Sequence, residues 1–374
     1  MSDFHVVSIV QRRLPHYRVP LFIALRKSLR EVGIVLRLLH GEGTKVETTK
    51  NDLGHIDWAE ALPTKYFLGG KLCWQPFSHH VAGSCLVIIP QENALLANHL
   101  ALFRKPAPLL AFWGHGANLQ GNSQSYRERY KRWSTRRVDW YFAYTKNTVN
   151  LVVESGFPRQ HTTQLNNAID VEELQNDMAS LNAAELAGLR LAFGLCDGPV
   201  GLFIGSLYSH KRIDFLLAAA EQLRAKINDF QLLVIGDGPH RRFVEAASFR
   251  HPYIRYIGAR KGSEKAGALK LATIIMNPGL IGLGILDSFA AGVPIITTDC
   301  GLHSPEIAYL EPHNGVITSN DLQSYVAACA RLLTNDIEHS RLSAGCKAAA
   351  NLYTLPKMVE NFTQGIIQAI ELKN

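Results

Sequence analysis

Short apolar runs alternate with amphipathic, helix-like stretches along almost the whole chain. The runs begin, in chain order, at Val6, Gly33, Cys85, Leu109, Trp140, Val200, Gln231, Ile254, Thr273 and Pro294. Strands that are separated by helices form parallel sheets with helices packed on both faces. The alternation therefore predicts an α/β protein built from two doubly wound sheets.

The domain boundary is predicted from length and from one intervening segment. The chain has 374 residues, and single cores stop growing near ~250–300 residues. An Ala- and Leu-rich stretch without a strand pattern begins at Val171. We place the connection just before it, with domains over 1–168 and 169–355. Open parallel sheets bind ligands beyond the carboxyl ends of their strands, so we expect a ligand cleft between the two domains.

Composition limits the class of protein. Hydrophobic residues make up 47% and charged residues 19%, which excludes a mostly disordered chain, a collagen-like repeat and a coiled coil. No apolar run reaches the ~18 residues of a membrane span, and the start does not resemble a signal peptide. Six single cysteines without a C-x-x-C pair predict no disulfide framework and no zinc site, as in a reduced, cytoplasmic compartment. The net charge of +7 favours an anionic partner such as a nucleotide, a phospholipid surface or nucleic acid.

The segment from Asn277 to Pro294 is the most informative. A predicted strand ends near Asn277, a loop with three glycines follows, and a helix then begins. Free backbone N–H groups at a helix start bind phosphate, and glycine lets the phosphate approach closely. Asp287 lies one turn into this helix, where its carboxylate could accept hydrogen bonds from ribose hydroxyls. A tight turn with glycines needed only for packing is the alternative.

These motifs resemble the retaining GT-B glycosyltransferases of family 4. The family pattern E-G-F-G-L-P-x-x-E, followed by G-V-P, corresponds to GLIGLGILD at 279–287 and to Gly292-Val293-Pro294, so Gly279 and Asp287 stand where the family has glutamates. The segment 203–211 resembles G-R-L-x-x-x-K-G, with Ser206 at the arginine and Lys211 at the lysine. The resemblance implies two Rossmann-like domains facing a central cleft, with the last helix, 356–374, returning to the first domain.

The resemblance also implies a donor site. Lys211 and the helix-start amides would neutralise the diphosphate, Asp287 would hold the ribose, and the amides of Leu280, Ile281 and Gly282 could bind sugar hydroxyls. Lys211 could instead be a solvated helix-start lysine, and Arg260 could contact the base or be an ordinary surface arginine. The predicted donor-binding set is Gly205, Lys211, Arg212, Arg260, Leu280, Ile281, Gly282, Leu283, Gly284 and Asp287.

In the first half, His115 follows the strand that begins at Leu109 and lies between two glycines. It matches a family histidine near the donor sugar, so His115 and Lys211 are the predicted catalytic residues, although an isolated histidine is usually structural. Glu92 also follows a strand and could contact acceptor hydroxyls. A basic loop could hold an anionic acceptor or the donor phosphates, or could simply be solvated; its residues are Arg12, Arg13, His16 and Arg18.

Residues 125–141 form the strongest charge feature. Tyr126, Tyr130 and Trp133 recur at helical spacing beside a basic face that contains Arg127, Arg129, Lys131, Arg132, Arg136 and Arg137. Such a helix could bind an anionic membrane surface, or it could be a surface helix whose aromatic residues pack in the core.

The expected function is that of a retaining glycosyltransferase. It would transfer a hexose from a nucleotide-diphosphate sugar to a hydroxyl of a glycan or lipid-linked acceptor, in bacterial surface polysaccharide or lipopolysaccharide synthesis. We expect no metal and no further cofactor, and a location in the cytoplasm or on the inner face of the membrane. One alternative is a nonenzymatic GT-B scaffold that binds a nucleotide or glycan. Another is a nucleic-acid-binding protein, for which no recognised module is present, so no nucleic-acid partner is expected.

Overall fold

The computed structural model describes residues 5–48, 52–116 and 126–373, apart from the side chains at 46, 127 and 128. The chain forms two compact units. The first contains residues 1–170 and 354–374, and the second contains residues 171–353. Each unit has its own parallel sheet, which confirms the predicted fold class.

The first unit contains a parallel sheet in the order β3-β2-β1-β6-β7-β8-β9 and a separate antiparallel pair, β4-β5. Its strands are β1 (His5–Gln11), β2 (Ile34–His40), β3 (Glu60–Ala61), β4 (Lys65–Phe67), β5 (Leu72–Trp74), β6 (Leu86–Pro90), β7 (Leu109–Gly114), β8 (Trp140–Ala143) and β9 (Thr162–Gln164). Before the chain passes into the second unit, the helices of the first are α1 (Val19–Glu31), α2 (Lys45–Thr48), α3 (Leu96–Arg104), α4 (Tyr126–Thr135) and α5 (Lys146–Glu154). The central strands β6, β7 and β8 are buried along their whole length, because helices cover both faces of a doubly wound sheet.

The second unit has a parallel sheet in the order β12-β11-β10-β13-β14-β15. Its strands are β10 (Val200–Ile204), β11 (Gln231–Ile235), β12 (Ile254–Tyr256), β13 (Ile274–Met276), β14 (Ile295–Thr298) and β15 (Gly315–Thr318). Its helices are α6 (Glu172–Ser180), α7 (Ala183–Ala192), α8 (Ile213–Lys226), α9 (Arg241–Arg250), α10 (Gly262–Leu271), α11 (Ile285–Ala291), α12 (Leu322–Thr334) and α13 (Asp336–Ala350).

The strand order of the second unit reverses between β10 and β13. From β10 the chain builds outward through β11 and β12, and it then crosses back to β13 and builds outward on the other side. The loops that follow β10 and β13 therefore leave the sheet in opposite directions, and they open a crevice at this edge. In open parallel sheets such a switch point is where ligands bind.

Helix α8 begins two residues later than the sequence pattern predicts. Ser209–Lys211 form a short 3₁₀ turn, and Arg212 has a left-handed backbone with φ of 53°. The helix then buries Ile213, Leu216 and Leu223 against the sheet, as its periodicity predicts. The consequence for the site is that Lys211 lies on the turn that precedes the helix and not within it.

The last helix, α14 (Leu355–Glu371), packs in the first unit. The ring of Phe362 stacks on Phe142 with centroids 4.8 Å apart and meets Trp113 edge-on at 5.1 Å. Asn361 donates a hydrogen bond to the carbonyl of Leu165, over 3.2 Å. The chain thus completes the first unit only after it has formed the second. Over the described ranges, no helix is both long and apolar enough to cross a bilayer.

Candidate functional site

The switch point of the second unit brings together the turn after β10 and the loop after β13. The Nζ of Lys211 donates a short hydrogen bond to the carbonyl oxygen of Leu280. Gly205, at the end of β10, lies alongside: a Cβ built on it would be 3.9 Å from Cε of Lys211. Three residues of the predicted donor-binding set are therefore neighbours at the edge where parallel sheets bind ligands.

Gly279 explains how the two segments come so close. A Cβ at this position would lie 2.2 Å from the carbonyl oxygen of His210 and 2.7 Å from Cα of Lys211. Because no side chain fits there, the loop backbone packs directly on the turn that carries Lys211. The glycine that replaces the family glutamate is thus required by the packing of this chain.

Two of the predicted ligand-binding amides are already used. The N–H of Leu280 donates to the carbonyl of His210 over 2.8 Å, and the N–H of Ile281 donates to Nδ1 of His303 over 3.1 Å. In this conformation the two amides hold the loop in place, and their binding to sugar hydroxyls stays a prediction. In the part of the chain that the structure describes, the amides of Gly282, Leu283 and Gly284 have no hydrogen-bond acceptor.

His303 is a supporting residue that the sequence reasoning missed. Its Nε2 lies 2.8 Å from the carbonyl oxygen of Thr298, while Nδ1 faces the N–H of Ile281. A carbonyl only accepts and an amide N–H only donates, so the ring is neutral with its proton on Nε2. Burial lowers the pKa of His303 and favours this neutral form. The only signal in the sequence was its place in the loop after a buried strand.

Lys211 supplies a positive charge to the loop whose amides at 282–284 have no acceptor among the described residues. Burial lowers its pKa to about 8, with a smaller opposing effect of Cys300, so the ammonium group remains mostly protonated at pH 7. An ammonium and helix-start N–H groups together favour an anion. The arrangement is therefore suited chemically to a phosphate or diphosphate.

Asp287, Arg212 and Arg260 all have protein partners. The Oδ1 of Asp287 accepts a hydrogen bond of 2.8 Å from Nζ of Lys265, on α10; the sequence reasoning did not find this lysine. Nε of Arg260 lies 3.4 Å from a carboxylate oxygen of Glu264, in the next turn. The ribose role of Asp287 and the base contact of Arg260 stay predictions.

Arg212, a residue of the predicted donor-binding set, has three protein acceptors on one nitrogen of its guanidinium group. Its Nη1 donates to Oγ1 of Thr298 over 2.9 Å, to the carbonyl of Pro278 over 3.3 Å, and to Oδ1 of Asn320. The guanidinium also lies 4.2 Å from the ring centroid of Phe215. Arg212 thus ties the loop after β13 to the end of β14 and to the loop after β15. Its contact with a diphosphate stays a prediction.

In the first unit, His115 follows β7 directly. Its ring meets the ring of Tyr144 edge-on, with centroids 4.5 Å apart. The residue keeps an exposed surface, yet the surrounding protein desolvates it, and Lys131 and Arg18 add positive charge. Together these effects lower the pKa of His115 to about 4. The imidazole is therefore neutral at pH 7 and can accept or donate a hydrogen bond.

A buried chain of hydrogen bonds fixes the backbone next to His115. The N–H of Gly116 donates to the hydroxyl of Tyr141 over 2.8 Å. That hydroxyl donates to Oε1 of Gln91 over 2.6 Å, and Nε2 of Gln91 donates to Oγ1 of Thr135 over 2.8 Å. A fully satisfied buried network of this kind rigidifies its surroundings, so β7 presents His115 in one orientation.

The arginines of the basic loop after β1 differ in whether a carboxylate neutralises them. Arg12 forms a two-pronged ion pair with Glu47, at 2.6 and 2.8 Å, and lies 3.3 Å from Glu92. Arg13 pairs with Asp52 at 2.7 Å. These carboxylates neutralise both arginines, so the prediction of a ligand-binding basic loop is not supported at Arg12 and Arg13. Arg18 differs from them, because it is buried and no carboxylate of the described ranges pairs with it.

Helix α4 carries part of the predicted basic and aromatic surface; residue 125 and the side chain of Arg127 lie outside the described residues. Tyr126 is 86% exposed, whereas Trp133 packs on Phe103, with centroids 5.6 Å apart. Lys131 is buried, so it does not belong to a solvated basic face. The exposed face is therefore smaller than the sequence indicates.

Comparison with known proteins gives one family and several relatives for the second half of the chain. Residues 198–335 match the family model of the glycosyl transferases group 1. The phosphatidyl-myo-inositol mannosyltransferase of Mycobacterium leprae (strain TN) is 26% identical over 197 residues, which cover 50% of this chain and 48% of that protein. The chain thus spans about half the length of this curated relative.

Two solved structures share the fold over nearly the whole chain. Anabaena HepE, crystallised in complex with UDP-glucose, has a TM-score of 0.69 at 14% identity, and the alignment covers 96% of this chain and 99% of HepE. WaaG, a glycosyltransferase involved in lipopolysaccharide biosynthesis, has a TM-score of 0.61 at 14% identity, with coverage of 96% and 98%. At these identities the likeness concerns the fold alone. Residues 198–335 thus match the group 1 glycosyltransferases, which confirms the family resemblance of the sequence for this segment.

Proposed function

We propose that the chain is a retaining glycosyltransferase that transfers a hexose from a nucleotide-diphosphate sugar to a hydroxyl of a glycan or lipid-linked acceptor. The observation that carries this proposal is the ammonium group of Lys211 beside the free amides of Gly282, Leu283 and Gly284, at the switch point of the second unit. The family match and the UDP-glucose complex of HepE support the same ligand class.

In this proposal the second unit stabilises the leaving group. As the bond between the sugar and the diphosphate breaks, negative charge develops on the departing phosphate, and prepositioned N–H groups and a cation stabilise it. The departing phosphate would take the proton of the attacking hydroxyl, as the family resemblance implies. Asp287, whose carboxylate is held by Lys265 at 2.8 Å, would accept hydrogen bonds from the ribose.

His115 would orient the donor sugar. A neutral imidazole held against Tyr144 offers one donor and one acceptor to sugar hydroxyls. We assign it positioning of the sugar and no proton transfer, because a base with a pKa near 4 is poorly matched to neutral pH.

A thermal-shift screen with UDP-, GDP-, ADP- and dTDP-hexoses tests the donor site. A ligand that binds only the native state raises Tm by mass action, so one nucleotide class should raise it. Lys211→Met and Asp287→Ala should each abolish the shift, and Lys226→Met, an exposed lysine in the last turn of α8, should retain it. An unchanged shift in Asp287→Ala would remove the ribose role.

The second candidate function is a nonenzymatic GT-B scaffold, because Gly279 and Ser206 replace charged residues of the family pattern. A measurement of turnover distinguishes an enzyme from such a scaffold. Release of nucleoside diphosphate from the stabilising sugar nucleotide, with an acceptor mixture from bacterial surface glycans, would establish transfer. We expect His115→Ala to bind the donor and lose transfer. NMR of the product should show the anomeric configuration of the donor, and an inverted product would refute the retaining mechanism.

We also propose that the exposed part of α3 and α4 contacts an anionic membrane surface. Phe103 is 65% and Tyr126 is 86% exposed, and Arg129 and Arg137 lie beside these rings. Aromatic and basic side chains in this arrangement suit the boundary between headgroups and acyl chains. This location would bring the protein to a lipid-linked acceptor.

Vesicle cosedimentation tests the membrane proposal. Wild-type protein should bind vesicles that contain phosphatidylglycerol and should not bind pure phosphatidylcholine. Arg129→Gln combined with Tyr126→Ser should weaken binding, while Phe249→Ser, which removes a 93% exposed ring of the second unit, should leave it unchanged. Equal binding to both vesicle types would refute the proposal.

A further inference from the structure

Two buried hydrogen-bond donors of the first unit have no acceptor in the described part of the chain. Arg18 is only 5% exposed and Trp113 only 2%. Among the described residues, neither Nη1 of Arg18 nor Nε1 of Trp113 has a hydrogen-bond partner. Buried polar groups are nearly always paired, so an unpaired one needs a specific explanation.

The two donors lie in one aromatic cluster, next to His115. The guanidinium carbon of Arg18 is 4.8 Å from the ring centroid of Trp113, 5.7 Å from that of Tyr144 and 5.4 Å from that of Tyr17. Tyr144 also contacts the ring of His115, at 4.5 Å. Ring faces attract the cation, but they do not satisfy its N–H groups. The cluster lies at the carboxyl ends of β7 and β8, where parallel sheets present ligand-binding residues.

The local charge is positive. An arginine cannot lose its proton in a protein, and a buried cation without a counter-charge is unfavourable. The neighbouring Arg12 and Arg13 are neutralised by carboxylates, whereas no carboxylate pairs with Arg18 in the described part of the chain. Lys131 and Arg18 both act as positive charges on His115. Glu92 and Lys131 act on each other electrostatically, so it is Arg18 that lacks a negatively charged oxygen among the described residues.

We propose that Arg18 and Trp113 bind an oxyanion, either a carboxylate or a phosphate, that is carried by the acceptor. A planar guanidinium matches both groups, because its N–H donors form a fork of the same spacing as two anionic oxygens. The indole N–H supplies a further donor. The inference rests on the proposed transferase function and specifies its acceptor as acidic. Arg18 is then a specificity-determining residue of the first unit, separate from the donor-binding residues of the second.

NMR of the indole groups tests this site directly. All five tryptophans lie in the first unit, so ¹⁵N-indole labelling gives five signals from this unit, and Trp113→Phe assigns one of them to Trp113. We expect titration with D-glucuronate or inorganic phosphate, at constant ionic strength, to shift the Trp113 signal saturably. D-glucose should leave it in place. The anion that acts at the lower concentration distinguishes a sugar carboxylate from a phosphate.

Variants at Arg18 decide whether the guanidinium is responsible. Arg18→Gln should abolish the shift, and Arg18→Lys, which keeps the charge and loses the fork, should weaken binding at least ~10-fold. The control is Arg26→Gln, on the helix that begins directly after Arg18. It removes an arginine that lies 4.3 Å from the ring centroid of Trp58 and should not change the titration. If Arg18→Gln does not fold, the Arg18→Lys titration decides.

Three results would overturn the inference: no shift with either anion, an equal shift with glucose, or an unchanged titration in the Arg18 variants. The first would mean that the two donors are satisfied by enclosed water. The outcome is independent of the donor site, because the thermal-shift screen reports on nucleotide binding by the second unit. A failed screen with a positive titration would reject the transferase and keep the anion site.

Discussion

Replacing Lys211 by methionine should stabilise the second unit while it removes donor binding. Burial lowers the pKa of Lys211 from 10.5 to about 8. At ~1.4 kcal/mol per pKa unit, this difference corresponds to a cost of about 3.5 kcal/mol for keeping the ammonium charged in the folded state. Methionine removes the cost and also the hydrogen bond to Leu280, which contributes about 1.5–3 kcal/mol. The net expectation is a gain of about 1 kcal/mol at pH 7.

The pH dependence has a defined sign. Below about pH 8 the lysine is charged in both the folded and the unfolded state, so the full cost applies. Between about pH 8 and 10.5 the folded state releases the proton and the unfolded state keeps it. The stability of the wild type therefore rises with pH over this interval. The advantage of Lys211→Met should become smaller by pH 9.5.

Urea unfolding at pH 7 and pH 9.5 measures this difference. All tryptophans lie in the first unit, so their fluorescence follows that unit, while far-UV circular dichroism follows both. We expect the gain in stability only in the unfolding transition of the second unit, which circular dichroism detects and tryptophan fluorescence does not. Lys226→Met should show neither the stabilisation nor its pH dependence. If Lys211→Met instead destabilises the protein by ~2 kcal/mol or more at pH 7, the reasoning is refuted. The charged lysine would then stabilise the fold and would not be kept at a cost to stability for its function.

Three further outcomes are expected. Gly279→Ala should destabilise the second unit by about 1–3 kcal/mol in urea unfolding, because the new Cβ would overlap the His210 carbonyl. Gly284→Ala is the control and should change stability little, because no atom lies within 4 Å of its Cβ. Tyr141→Phe should lower the unfolding free energy of the first unit by about 2–4 kcal/mol, because it leaves the half-buried N–H of Gly116 and the buried amide oxygen of Gln91 without their partner. Tryptophan fluorescence measures this, and a change below ~0.5 kcal/mol would mean that the network does not hold the turn. Transfer should persist in excess chelator, measured as nucleotide release, and its full restoration by added manganese after loss would contradict the metal-free mechanism.

Much of the fold could be predicted because hydrophobic periodicity reports burial. The long buried strands, such as β7 and β11, are continuous apolar runs, and α1 buries Leu21, Phe22, Leu25 and Leu29 at helical spacing. Short edge strands escaped detection. β3 has two exposed residues and β9 has three polar ones, so neither carries an apolar pattern, and only pairing with a neighbouring strand makes them strands.

The order of residues along the chain determined which groups stand at the ends of which strands. Lys211 follows β10, the loop of Gly282 and Gly284 follows β13, and His115 follows β7. Each of these strands can be predicted from its hydrophobic residues, so the residues that come directly after it are placed at its end. For the same reason the family could be recognised from local motifs alone.

Only the tertiary structure decided which of these groups are available. The amide of Leu280 is used by His210, that of Ile281 by His303, and the carboxylate of Asp287 by Lys265. Arg18 is left without any acceptor among the described residues. A hydrogen bond depends on where two atoms lie in space, and partners that are 22 or 70 residues apart in the chain become neighbours only when the sheet and its loops have packed.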